Sequence, residues 1–260
     1  MKFSAFGELI DVKVDQMYPK VWDPDSKQNV VFAKDAAEDQ VDSVIKSKKE
    51  PGSGYDISKR LLDVVLASCV LLITFPISMV IALMIKINSP GPIIFKQVRI
   101  GQNLRRRQRK NGHLYDRRNG NLRGRPFYMY KFRTMRADVD NYTWKPKRKG
   151  DPRLTFSGRI IRRLCLDELP QMLNVLKGDM SIVGPRPELP QIVQEYNALE
   201  EKRLCVKPGI TGLWQLKGSR KQRIHDNIHL DLTYIRKRSF WYDIGIMFRT
   251  VKFILTFKNV

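Results

Sequence analysis

The chain has 260 residues, enough for one large domain or a domain with appendages, and its 42% hydrophobic content excludes wholesale disorder. With 48 Lys and Arg against 26 Asp and Glu, the net charge is +22, which points to a polyanionic partner: nucleic acid, an anionic membrane surface or a phosphorylated substrate. Three cysteines without C-x-x-C spacing (Cys69, Cys165, Cys205) argue against a disulfide framework or a zinc site and fit a reducing compartment.

Residues 1–55 carry eight Lys and ten acids, so the positive excess lies in the rest of the chain. They read as a separate extension, with a strand-like apolar cluster at 30–33 and a turn-rich end at 51–54. The first residues lack the short apolar core of a signal peptide.

Val64 to Ile85 follows, 22 residues without a charge. About 20 apolar residues cross a bilayer core as a helix. Pro76, just past the middle, removes an intrahelical hydrogen bond and predicts a break or kink, and Thr74 and Ser78 are close enough to re-satisfy freed backbone groups. Both flanks are basic, with Lys59 and Arg60 before and Lys86 after. Basic flanks belong on the cytoplasmic side. If both obey that rule, residues 56–90 form a re-entrant hairpin bent at Pro76, each arm of about 11 residues reaching roughly 16 Å. One kinked transmembrane helix is the other arrangement open to such a segment.

From Arg99 to Arg136 there are thirteen basic residues and one acid, Asp116. Short extended pieces, IIFKQVRI and FYMYKFRTM, flank this stretch. Residues 157–178 read as helix with an Arg159, Arg162, Arg163 face. A tight loop follows at Val183-Gly184-Pro185-Arg186-Pro187, and a second helical pattern runs from about 188 to 204. The segment from Ile224 to Phe257 mixes apolar and basic residues at helical spacing and carries Trp241 and Tyr242, as a helix lying in a membrane interface would.

Asp167-Glu168-Leu169-Pro170 precedes an apolar periodic stretch. Locally these residues fit a helix start, with Asp as cap and Pro in the first turn. The same geometry serves chemistry. A helix N-terminus offers free N–H groups and a positive dipole end that bind phosphate, and a carboxylate there can act as nucleophile or hold Mg²⁺. Arg162 and Arg163 lie just upstream, and Arg186 sits between two prolines; guanidinium groups clamp phosphate oxygens. Together these describe a phosphoryl-transfer site. Asp23-Pro24-Asp25 and Asp138-Val139-Asp140 match a D-x-D pattern too short to carry weight. His113, His225 and His229 have no metal spacing beyond one i, i+4 pair, and no phosphate-binding glycine loop occurs. The Arg105-Arg106-Arg107 run is shaped like a nucleic-acid patch, but the long apolar segment argues for no nucleic acid.

KRLLD at 59–63, GPIIFKQVRIG at 91–101, YKFRTM at 130–135, LDELPQMLNVLKGDMSIVGPRP at 166–187, KPGITGLWQLKG at 207–218 and LDLTYIRKRSFWYDIGIMF at 230–248 together resemble the monotopic polyprenyl-phosphate phosphoglycosyl transferases, bacterial sugar transferases that begin capsule, exopolysaccharide, lipopolysaccharide O-antigen and glycoprotein glycan assembly. The resemblance covers about residues 57–257. It implies an α-rich α/β monotopic membrane protein: a re-entrant helix-break-helix membrane hairpin at 56–90, bent at Pro76, and a catalytic domain at 91–260 with amphipathic interfacial helices. It implies residence at the cytoplasmic face of the bacterial inner membrane, Mg²⁺ as cofactor, a UDP-sugar donor and a polyprenyl (undecaprenyl) phosphate acceptor. Asp167 matches the attacking carboxylate, which takes the phosphosugar and releases UMP. Glu168 matches its metal-binding or proton-transferring neighbour, and Arg162 and Arg186 match phosphate-binding arginines. A direct UDP-releasing glycosyltransferase and a non-catalytic basic membrane scaffold are the alternatives.

Three features depart from the family pattern. Phe75, not Ser, precedes Pro76. About 20 extra, very basic residues near 102–122 intervene between the two extended pieces, and we expect them to grip anionic membrane lipids. The extension at 1–55 has no counterpart.

Overall fold

A computed structural model describes residues 52–103, 109–110, 113–114, 123–136, 151–217 and 227–256. The extension before residue 52, most of the basic insertion, both D-x-D sequences and His225 lie outside the described residues.

One helix dominates. α1 (Ser53–Asn88) has 36 residues, about 54 Å at 1.5 Å per residue, and contains the whole apolar run. It ends at Ser89, which is extended and donates its N–H to the Ile85 carbonyl; Pro90 then bars continuation. The helix is unbroken through Pro76. The Thr74 hydroxyl donates to the Val70 carbonyl at 2.6 Å, not to that of Leu72, which Pro76 leaves without its N–H partner. The expected repair by Thr74 is thus replaced by back-bonding, which bends helices. Leu72, Ile73, Phe75, Met79, Val80 and Leu83 are exposed, and only 11% of the most apolar 18-residue window is buried, so α1 is not the core helix of a soluble body.

β1 (Ile94–Ile100) pairs antiparallel with β4 (Pro126–Phe132), from Ile94 opposite Phe132 to Ile100 opposite Pro126. Between them a short antiparallel ladder joins β2 (Arg109–Lys110) and β3 (His113–Leu114) within the basic stretch. β5 (Ser181–Val183) and β6 (Gly209–Thr211) pair in parallel.

The helix expected over 157–178 is two. α2 (Phe156–Arg163) is capped by the Thr155 hydroxyl, which accepts from Gly158 N–H at 3.0 Å. Gly158 is required there, because a Cβ would run into the Thr134 carbonyl. Cys165 then adopts φ 57°, a left-handed conformation that breaks the helical path. A 3₁₀ turn (Leu166–Glu168) follows, then α3 (Gln171–Lys177). Gly178, at φ 84°, ends α3 as left-handed C-caps do.

The pattern at 188–204 resolves into α4 (Pro190–Gln194), α5 (Ala198–Glu201) and a 3₁₀ turn (Lys202–Cys205). After α6 (Leu213–Lys217) the C-terminal pattern divides into α7 (Ile228–Lys237) and α8 (Phe240–Leu255). The division falls at Ser239, whose hydroxyl caps α8 through Tyr242 N–H. α8 exposes Trp241, Phe248, Val251 and Leu255, an apolar row at helical spacing.

Two apolar clusters join α1 to the rest. Ala67 packs with Phe127, Met129, Val175 and Met180. Ile81 and Ile85 pack with Phe132 and Ile161, and with Leu166 and Leu169 on either side of the acidic pair. The turn bearing Asp167 and Glu168 is therefore joined to that cluster by its flanking leucines.

Candidate active site

β4 and α3 are tied together by one side chain. Asn174, fully buried, accepts from Tyr130 N–H at 3.0 Å and donates to the Tyr128 carbonyl at 2.7 Å. A buried amide with both ends satisfied fixes the register of helix against strand. That register brings Lys131 of β4 to the acidic pair. Lys131 Nζ donates to Glu168 Oε1 at 2.8 Å and stands 4.0 Å from Asp167 Oδ2.

The Pro185-Arg186-Pro187 loop, following β5, delivers a second cation. Arg186 donates to the same Glu168 Oε1 at 2.9 Å. Arg162, on the last turn of α2, donates from Nε to Thr134 Oγ1 at 2.7 Å. Its terminal nitrogens donate to no group among the described residues. The left-handed Cys165 turns the chain so that Asp167 comes within electrostatic reach of Arg162.

The two acids differ. Burial works against ionisation of Glu168, but Lys131 and Arg186, each charged and hydrogen-bonded to it, outweigh burial and hold its carboxyl well below the usual carboxylate range. Asp167 accepts no hydrogen bond from the described residues. Burial pushes its carboxyl up, and the Glu168 charge adds to that; the cations Lys131, Arg162 and Arg186 oppose it. Arg186 is pushed up chiefly by Glu168. Burial pulls Arg162 down, with Asp167 and Asp151 opposing. The site thus holds three cations against two acids, leaving net positive charge, which favours an anionic ligand.

The free carboxylate of Asp167 and the second oxygen of Glu168 are the oxygens able to hold a cation here. No group of three or more His, Cys, Asp or Glu gathers among the described residues. One or two carboxylates, completed by water and substrate phosphates, is the way Mg²⁺ is commonly held, and these residues fit it.

Asp167, Glu168 and Arg186 are thus brought together in one place. Arg162 joins through its charge, with its hydrogen bond spent on Thr134. Lys131 and Thr134 were not assigned roles in the sequence. The available signal was a lysine set inside an otherwise apolar strand, FYMYKF. Pro76 lies in α1, away from the hydrogen bonds of the site.

The chain is similar to several known proteins. Over 210 residues the chain is 39% identical to the UDP-glucose:undecaprenyl-phosphate glucose-1-phosphate transferase of Escherichia coli (strain K12), covering 77% of this chain and 41% of that protein. Over 217 residues it is 38% identical to the protein of the same name from Caulobacter vibrioides, covering 80% of this chain and 74% of that one. Over 212 residues it is 35% identical to the UDP-N-acetylgalactosamine-undecaprenyl-phosphate N-acetylgalactosaminephosphotransferase of Aeromonas hydrophila, covering 79% of this chain and 45% of that one. The chain spans less than half the length of the first and third of these relatives. Residues 54–257 match the family model described as bacterial sugar transferase, and the chain belongs to that family.

Proposed function

We propose that this chain transfers a sugar-1-phosphate from a UDP-sugar to undecaprenyl phosphate, with UMP as the second product. The observation that carries this reading is Asp167: a carboxylate with no hydrogen-bond donor on it among the described residues, beside an acid whose Oε1 is bound by two cations, with a third cation within electrostatic reach. A nucleophile must keep a lone pair unspent, and Asp167 does.

Asp167 attacks the β-phosphorus of the donor. The bond from that phosphorus to the bridging oxygen breaks, its electron pair leaves with UMP, and a phosphosugar remains on the carboxylate. An oxygen of the acceptor phosphate then attacks the same phosphorus. The bond to Asp167 breaks, the carboxylate is restored, and the polyprenyl diphosphate sugar departs. No net proton is consumed. Two displacements let a water-soluble donor and a lipid acceptor use one site in turn. Lys131, Arg162 and Arg186 offset the charge on the transferred group in both steps. Glu168 holds Lys131 and Arg186 in place at 2.8 and 2.9 Å. Mg²⁺, held by Asp167 and Glu168, would supply further charge neutralisation at the phosphates.

The contacts of α1 support a reading of its membrane placement. On one side of Pro76, Lys59 donates to the Val183 carbonyl and to Asp243. Arg60 donates to the Val175 and Leu176 carbonyls, and Asp63 accepts from Ser181 and Ile182. On the other side, Arg133 donates to the Ser89 and Pro90 carbonyls. Both ends are bound to one folded body, whereas a simple span would part them by a bilayer. We therefore read both ends of α1 as lying on the cytoplasmic side of the inner membrane, with α8 at headgroup level. The acceptor phosphate would then meet Asp167 without leaving its leaflet.

The test is nucleotide release in nanodiscs containing undecaprenyl phosphate and Mg²⁺. The donors are UDP-glucose, UDP-galactose and UDP-N-acetylgalactosamine. UMP from one donor, lost in Asp167→Asn, supports the reading and names the sugar. UDP as product would replace it with direct glycosyl transfer. No nucleotide from any donor would leave a scaffold.

A further inference from the structure

Each residue of the Pro-Arg-Pro loop is held by its main-chain carbonyl. Gly209 N–H donates to the Pro185 carbonyl at 2.8 Å, and Arg99 donates to that of Pro187 at 3.3 Å. The carbonyl of Arg186 itself accepts from Arg203 NH2 at 3.0 Å. Arg203 sits in the 3₁₀ turn after α5, 3% exposed. Its NH1 donates to Glu188 Oε2 and to the Tyr196 hydroxyl, both at 2.7 Å. Its NH2 also pairs with Asp231 Oδ2 of α7 at 2.6 Å. The Tyr196 hydroxyl donates in turn to Glu188. All four side chains are buried.

This cluster touches neither carboxylate of the acidic pair. Its link to the reaction is one hydrogen bond to the residue whose guanidinium meets Glu168. A buried guanidinium with both terminal nitrogens engaged has one orientation, so the carbonyl it grips has one position. Arg186 leaves that position with few rotamers open, since Glu168 fixes its far end.

We propose that Arg203 is a positioning residue for transfer: through the Arg186 carbonyl it sets where the Arg186 guanidinium stands in the active site. The inference rests on the transfer reaction proposed above for its substrates. Lysine at 203 retains the charge that Glu188 and Asp231 require. It cannot span Glu188 and the Arg186 carbonyl with two rigid prongs.

The experiment is a double-mutant cycle on wild type, Arg186→Ala, Arg203→Lys and the double variant. Each is purified in nanodiscs and checked for cooperative thermal unfolding, and kcat/KM for nucleotide release is measured. Arg203→Lys should cost about 10- to 100-fold in the wild-type background, the scale of a roughly 1 Å misplacement. In the Arg186→Ala background it should cost less than about 2-fold, because nothing remains to position. Equal losses in the two backgrounds, or no loss in the first, overturn the proposal. If Arg203→Lys fails to unfold cooperatively, Tyr196→Phe is carried through the same cycle. It removes one acceptor of the fork, and the same two outcomes decide. Whether wild type releases UMP or UDP is scored separately, so a wrong product sinks the transfer reading and leaves the cycle interpretable. A wild type without turnover would sink that reading too, and the cycle is then read on affinity for uridine diphosphate.

Discussion

Two clusters of acids and bases share Arg186. Its side chain belongs to the first, with Asp167, Glu168, Lys131 and Arg162; its carbonyl belongs to the second, with Arg203, Glu188, Tyr196 and Asp231. The second is buried throughout and its members are bound to one another. The first is only partly buried, has more cations than acids, and contains one carboxylate with no hydrogen-bond donor on it among the described residues. The closed cluster spends its charges on one another while holding the loop from which Arg186 reaches the open one. Charged groups that serve a reaction keep charge and access in reserve, at a cost in stability.

That contrast can be broken most sharply at Asp167. Asp167→Asn keeps the shape and removes the charge of the oxygen proposed to attack; UMP release should fall by about three orders of magnitude or more, while thermal unfolding stays within the wild-type range. A second comparison sets the two glutamates against each other. Glu188→Gln leaves Arg203 short of a buried counter-charge and should cost about 3–5 kcal/mol of stability. Glu168→Gln, less deeply buried, should cost less stability than Glu188→Gln yet cripple turnover. If Glu168→Gln proved the more damaging to unfolding, the division of labour would be wrong.

Lys131→Met should lower turnover by roughly 10- to 100-fold, one preorganised charge being worth that or more. It also carries a pH signature. Burial raises the Asp167 carboxyl, and Lys131 is the foremost opposing charge. Asp167 must be ionised to attack, so the rise of activity on the acid side should move to higher pH in Lys131→Met. An unmoved acid limb in a pH–rate profile would mean that Lys131 acts on Glu168 alone. The smallest effect is expected at Thr134→Val, which frees Arg162 Nε from its 2.7 Å hydrogen bond. One such bond is worth about 1 kcal/mol, so donor KM should rise by roughly 5-fold.

The acidic pair and Arg186 were legible because the block from Leu166 to Pro187 carries them in one continuous stretch. Lys131 was not, because it reaches Glu168 through a strand-to-helix register that Asn174 sets, and the sequence does not show pairing across that distance. The break inside 157–178 was missed because a left-handed cysteine has no sequence signature; glycine would have given one. Arg203 looked like one of many basic residues. Only burial among Glu188, Tyr196 and Asp231 distinguishes it. The apolar length of α1 was plain, but its continuity through Pro76 was not, since proline removes one bond without forbidding the turns on either side.

α1 is both anchor and interior. Ala67, Ile81 and Ile85 fill the two apolar clusters of the catalytic body, and Asp63 accepts the main-chain N–H of Ile182. Arg60 closes the C-terminal carbonyls of α3, the helix that follows the acidic pair. A trimmed, water-soluble version made by deleting the apolar helix would therefore lose part of its own interior along with its anchor. Solubility would have to come from repainting the outward side chains Leu72, Ile73, Phe75, Met79 and Leu83 as polar residues, with the inward face kept intact.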